Sequence, residues 1–208
     1  MMSSASDRNK VFISYSHKDA KYLNGLLPHL KYLERNKSID FWVDTKIKPG
    51  EKWQVEIKRA LASAKVAILL ISVDFLTSPF IVENELPPLL FAAEAKGMTI
   101  LPVILRPCTL PPSLSRLQAI NSPSKPLSRM KGYEREELWD KVANATVDAI
   151  SSQTSIENNT HKGELLDEET DDYDEELEEA LQEMRQRSFN PASVMSKRNK
   201  VGGKEGYV

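Results

Sequence analysis

Val66-Ala-Ile-Leu-Leu-Ile71 is an unbroken apolar run. A strand with one wet face alternates apolar and polar residues. A continuous run is expected where helices cover both faces of a parallel sheet. Outward from this run the same signal returns at residues 98–105, after the punctuating Gly97, and in shorter form at Val11-Phe-Ile-Ser14 and Ile39-Asp-Phe-Trp-Val43. Between these runs the apolar residues fall at helical spacing. Tyr22, Leu23, Leu26, Leu27, Leu30 and Leu33 predict a helix over 19–34; Trp53, Ile57, Ala60, Leu61 and Ala64 mark a second. Leu86, Leu89, Leu90 and Ala93 mark a third. Leu138, Val142, Ala145 and Ala149 lie on one side of a closing helix over 133–152. Residues 107–126 carry five prolines and read as irregular, with a short last strand expected at Pro126-Leu127.

Strands alternating with helices imply an α/β, doubly wound parallel sheet with helices on both faces; for its five strands the order considered is 2-1-3-4-5. Such sheets bind ligands beyond the carboxyl ends of the strands, where strand order reverses. That crevice lies between the first and third strands. Its expected walls are the loop after Ser14 and residues 72–85.

Charge divides the chain. Residues 1–154 hold 21 Lys+Arg against 16 Asp+Glu, a balance of +5; residues 155–208 hold 7 against 14, a balance of −7. The organisation expected is one domain over 8–153 and an acidic, largely disordered tail over 154–208. Leu177, Leu181 and Met184 share one helical face, so a short helix over 174–187 is the one element expected in the tail. The basic excess is too small to point to nucleic acid. No apolar run reaches the roughly 18 residues needed to span a bilayer, and residues 1–10 lack the apolar centre of a signal peptide. The lone Cys108 gives neither a disulfide framework nor a Cys-rich zinc site, and His17 has no ligand partner nearby in sequence, so no metal site is expected and the cytoplasm is the expected location.

Val11-Phe-Ile-Ser-Tyr-Ser-His-Lys-Asp19, the loop 44–53, Ser72-Val-Asp-Phe-Leu-Thr-Ser-Pro-Phe80 running on to Glu85-Leu86-Pro87, Arg106-Pro-Cys108, Leu117-Gln-Ala-Ile120 and Lys125-Pro126 stand in the same order as the motifs of the Toll/interleukin-1 receptor (TIR) domain in its bacterial form. The chain resembles that family over about three-quarters of its length. The resemblance implies the flavodoxin-like TIR fold and two kinds of function. Some TIR domains assemble with other TIR domains as adaptors. Others cleave NAD+ at the nicotinamide–ribose bond, and some of those cyclise the product into a signal. Bacterial members often act in antiphage defence or host subversion, and the family as a whole points to innate immunity.

The chemistry such cleavage needs is modest. Nicotinamide leaves neutral, so no acid is required, and a carboxylate beside the ribose stabilises the positive charge that develops there. The resemblance points to Glu85 as that carboxylate; the plainer reading is an acid at a helix N-terminus. Many family members place the glutamate four residues after the aromatic that matches Phe80. Here that position is Asn84, so Glu83 is held in reserve. Phe12, Ser14 and Tyr15 are expected along the nucleotide pocket, with core and turn roles as alternatives for Phe12 and Ser14. Ser72 is expected to meet ribose or phosphate, with a capping role as its alternative. Trp53 is expected either to stack on a base or to pack down the loop it follows. That loop, with Asp44, Lys46, Lys48, Pro49 and Gly50, is expected to gate or assemble the site. No Gly-x-Gly-x-x-Gly turn, phosphate loop or His-Glu-x-x-His occurs, and Ser14-Tyr15 and Ser72 stand where a response-regulator receiver needs acids.

The function expected is therefore an NAD+ glycohydrolase activated by self-association, with NAD+ as substrate and no cofactor. Its partners are other TIR domains. The rivals are a non-catalytic TIR adaptor and a synthase of a cyclic ADP-ribose-type signal.

Overall fold

The structure is a computed structural model, and it describes residues 9–44 and 53–160; for residues 53, 54 and 153–160 it describes the backbone alone. The apolar run is strand β3 (Val66–Ile71), with every residue buried. It lies between β1 (Lys10–Tyr15) and β4 (Thr99–Ile104), both parallel to it, and β2 (Asp40–Trp42) completes the order β2-β1-β3-β4. Val11 pairs with Val66, Tyr15 with Leu70, and Ile71 with Ile104. The chain thus runs outward from β1 to β2 and crosses back to β3. Strand order reverses at the carboxyl ends of β1 and β3, as expected.

The crossovers form α1 (Ala20–Arg35), α2 (Trp53–Ser63) and α4 (Leu86–Ala95), with a short α3 (Val73–Leu76) after β3. A four-residue α5 (Pro112–Ser115) follows β4, and α6 (Gly132–Thr160) closes the domain. Alternate residues of the strands feed two cores. Val11, Ile13, Ile68 and Leu70 pack with Leu26 and Leu30 of α1 and with Trp139 and Val142 of α6. Phe12, Ala67, Leu69 and Ile71 pack with Ile57 of α2 and Leu89 of α4. The period-two alternation of side chains across a sheet filled on both faces produces this division.

The expected fifth strand needs correcting. Among the described residues the sheet has four strands; Pro126 is extended, but Leu127–Arg129 is a 3-10 turn. The reason lies at the outer edge of β4. The carbonyl of Pro102 accepts from Ile120 N–H at 2.9 Å, so Pro102 faces that edge, and proline has no N–H to offer there. The next outward residue, Ile104, gives its N–H to Asn121 Oδ1 at 2.9 Å and accepts from Asn121 Nδ2 at 3.0 Å. One buried side-chain amide thus does the pairing that a strand's backbone would do. Ser128 N–H reaches Leu105 O at 2.8 Å, so the segment follows the edge without laddering to it.

The closing helix runs beyond the expected end at residue 152, through Thr160. Residues 154–160 of the expected tail thus belong to this helix; residues 161–208, with the expected helix at 174–187, lie outside the described residues.

Candidate active site

Two polar clusters occupy the carboxyl ends of the strands. The first centres on Glu85. Phe80 and the turn Ile81–Glu85 lead into α4, and this turn is π-helical: Leu86 N–H bonds to Ile81 O, five residues back. Pro87 and Pro88 follow. Neither has an N–H for the carbonyl four residues earlier, and a proline ring collides with that carbonyl, so the helix widens ahead of them. A π turn holds one residue more than an α turn. Glu85 therefore comes round, five residues after Phe80, to the direction that the fourth would take in a regular helix. Glu85, rather than Asn84, is thus turned inward by the backbone. Glu83 and Asn84 are exposed and Glu85 is 7% exposed.

Glu85 accepts a hydrogen bond from Ser14 Oγ, at the end of β1. Burial pushes its carboxyl up to about 7; the Ser14 hydrogen bond opposes this, the charge of Asp44 adds to it, and the charge of His17 opposes it. Tyr15 lies beside this group, buried, its ionisation suppressed first by burial, then by Asp44 and by Glu85. Asp44, just past β2, bonds His17 Nε2, and the His17 ring stands tilted 5.6 Å from that of Tyr15. The structure thus brings together Ser14, Tyr15, Glu85 and Asp44 from the expected set, and adds His17. Sequence spacing gave no sign of that addition, because 27 residues separate His17 from Asp44.

Two expected pocket residues lie elsewhere. Phe12 is 1% exposed and stacks on Trp42, ring centroids 5.2 Å apart and planes within 10°, so it follows the core alternative. Ser72 is fully buried in the second cluster. Its hydroxyl donates to Asp19 Oδ2, accepts from Phe75 N–H at 3.1 Å as the N-cap of α3, and accepts from Arg106 Nη2 at 3.3 Å. A hydroxyl has one proton and two lone pairs, so none of its capacity is left for ribose or phosphate. The expectation of a substrate contact at Ser72 is corrected to a cap.

The rest of this second cluster was not foreseen as a unit. Asp19 is 1% exposed, and its Oδ1 lies 3.1 Å from Arg106 Nη2. Arg106 also pairs with Asp74, and Lys18 Nζ lies 3.1 Å from Asp74 Oδ1. Arg106, then Lys18, hold the Asp74 carboxyl below the usual range. These groups tie the turn after β1 to the turn after β3 and to the chain leaving β4. Burial raises the Cys108 thiol, so it is no ready nucleophile. Trp53's side chain and Lys46, Lys48, Pro49 and Gly50 lie outside the described residues. No cluster of metal-ligating side chains is found among the described residues, and no helix there is long and apolar enough to cross a membrane.

The TIR domain family model matches residues 11–138, more than half of the chain and all four strands from Val11 onward. The chain belongs to the TIR domain family. It is similar to an uncharacterized protein, y4lF, of Sinorhizobium fredii, with 28% identity over 145 residues; the match covers 69% of this chain and 44% of that protein, so the chain spans less than half the length of its relative. Among solved structures it is similar to the TIR domain of the Toll-related receptor TRR-2 of Hydra magnipapillata, at 23% identity and a TM-score of 0.41, over 52% of this chain and 80% of that one.

Proposed function

We propose that this TIR domain cleaves NAD+ at the nicotinamide–ribose bond, with Glu85 as the catalytic carboxylate. The observation that supports this reading is a buried carboxyl, with no Lys or Arg bonded to it among the described residues, at the crevice where strand order reverses. As the C1′–N bond breaks, its electron pair stays with the pyridine ring and the ribose becomes cationic. An ionised Glu85 in a weakly polar site stabilises that cation far more than a carboxylate in water would. Ser14 fixes the carboxylate's direction. The loop after Asp44 closes or assembles the site between TIR domains, in the cytoplasm, in a defence or signalling role.

NAD+ loss by the purified chain at high concentration tests this, with Glu85→Gln and Glu83→Gln beside wild type. Wild type and Glu83→Gln should consume NAD+; Glu85→Gln should lose activity by about 10² to 10³-fold or more. Product mass separates ADP-ribose from a cyclic isomer. No consumption by wild type under any assembly condition would overturn the enzymatic reading and favour an adaptor.

A further inference from the structure

We propose that His17, held by Asp44, is the general base that takes the proton from the water attacking the ribosyl cation. The inference rests on the reading of Glu85 just given, and adds to it a group for the second half of the reaction. Hydrolysis has two demands that one carboxylate meets poorly together. The cation must face a negative charge throughout, and the incoming water must lose a proton as its oxygen bonds to C1′. If Glu85 took that proton, the stabilising charge would vanish as it was needed. A separate base removes the conflict.

His17 has the geometry for this task. It follows Ser14 and Tyr15 in the turn out of β1, and its side chain is 75% exposed, open to solvent water. Asp44 takes the Nε2 side of the ring. A carboxylate only accepts, so Nε2 carries the proton and Nδ1 keeps its lone pair for another partner. This is a base oriented by a third group, the arrangement that activates water and hydroxyl nucleophiles. The other groups at this end are less suited. The Tyr15 hydroxyl is buried with its ionisation suppressed, and Lys18 is engaged by Asp74. Asp44 faces His17 directly; Ser14, three residues before His17, bonds Glu85, and the His17 ring lies 5.6 Å from that of Tyr15, which sets His17 beside the Glu85 site.

The step balances. The C1′–N bond breaks with its electrons going to nicotinamide. The water oxygen bonds to C1′, and one water proton passes to Nδ1. The imidazolium, paired with Asp44, then releases that proton to solvent, leaving ADP-ribose and one free proton.

A neutral pyridine attacking the same cation has no proton to lose, so the exchange of nicotinamide for another pyridine needs Glu85 but not His17. The full chain is therefore incubated with NAD+ and 3-acetylpyridine, and ADP-ribose and the exchanged dinucleotide are separated and measured. His17→Gln should lower hydrolysis by at least about tenfold while exchange stays within about twofold. Asp44→Asn should move the ratio the same way. A ratio of the two products unchanged in His17→Gln would overturn the role of His17 and leave that of Glu85 standing. If wild type forms neither product, the proposed function fails and this inference fails with it.

Discussion

The ends of β1 and β3 carry the same local device and put it to opposite use. Each strand ends in a buried serine, Ser14 or Ser72, whose hydroxyl donates to a buried carboxylate, Glu85 or Asp19. Beyond this the two sites part. Asp19 has the guanidinium of Arg106 at 3.1 Å, and Ser72 is further tied to the backbone of α3. Among the described residues no Lys or Arg is bonded to Glu85; a second carboxylate, Asp44, acts against its charge, and His17 relieves it only in part. Burying a charge is costly unless it is paired. The Asp19 site meets that requirement and becomes a joint between three loops. The Glu85 site does not, and its carboxyl is left to titrate near neutrality. An identical hydrogen bond therefore says little about role; the presence of a cation decides it.

The largest effect expected from breaking this contrast is at Arg106. Arg106→Ala leaves Asp19 buried and unpaired, and should cost about 3 kcal/mol of stability in denaturant unfolding. A loss below about 0.5 kcal/mol would mean that the pair is only a surface contact.

Glu85→Gln should do the reverse, and with a pH dependence. The folded carboxyl titrates at about 7, above its ordinary value of 4.5. Between these values the folded chain holds a proton that the unfolded chain has lost, so the contribution of Glu85 to stability falls as pH rises from about 4.5 to 7. Replacing it with the neutral amide removes that slope. The variant should gain about 3 kcal/mol over wild type at pH 8 relative to pH 4.5, read from melting curves across the range. An equal difference at both pH values would contradict the buried charge.

Ser14→Ala should have the smallest effect on stability, a loss of about 1 kcal/mol. It sharpens the comparison in another way. Its hydroxyl is the group that most lowers the Glu85 carboxyl, so its removal should move the rising limb of NAD+ cleavage against pH further upward. A limb that stays in place would detach Ser14 from Glu85.

The sheet was legible because its signal is local. Six consecutive apolar residues such as Val66–Ile71 leave no polar face for water, so a short segment of this kind belongs inside a sheet covered on both sides, and its bounds agree with the sequence reading. The fifth strand was misread because Pro126-Leu127 seen alone does not disclose that Pro102 and Asn121 have already disposed of the edge it would join. Glu85 was singled out through the family motif, and Pro87-Pro88 contained the reason for the π turn before it, since paired prolines remove two helical donors in succession. Ser72 and Asp19 were harder to read. Which serine meets which carboxylate depends on loops 53 and 71 residues apart in sequence, and only the fold makes those pairs. The pairing of His17 with Asp44 was hidden for the same reason.

The most direct measurement is the titration of the Glu85 side-chain carboxyl by carbon NMR, assigned by its absence in Glu85→Gln. A midpoint near 7, rising in Ser14→Ala, is the expected result. A midpoint at an ordinary glutamate value near 4.5 would contradict the claim that burial holds this carboxyl above its ordinary range.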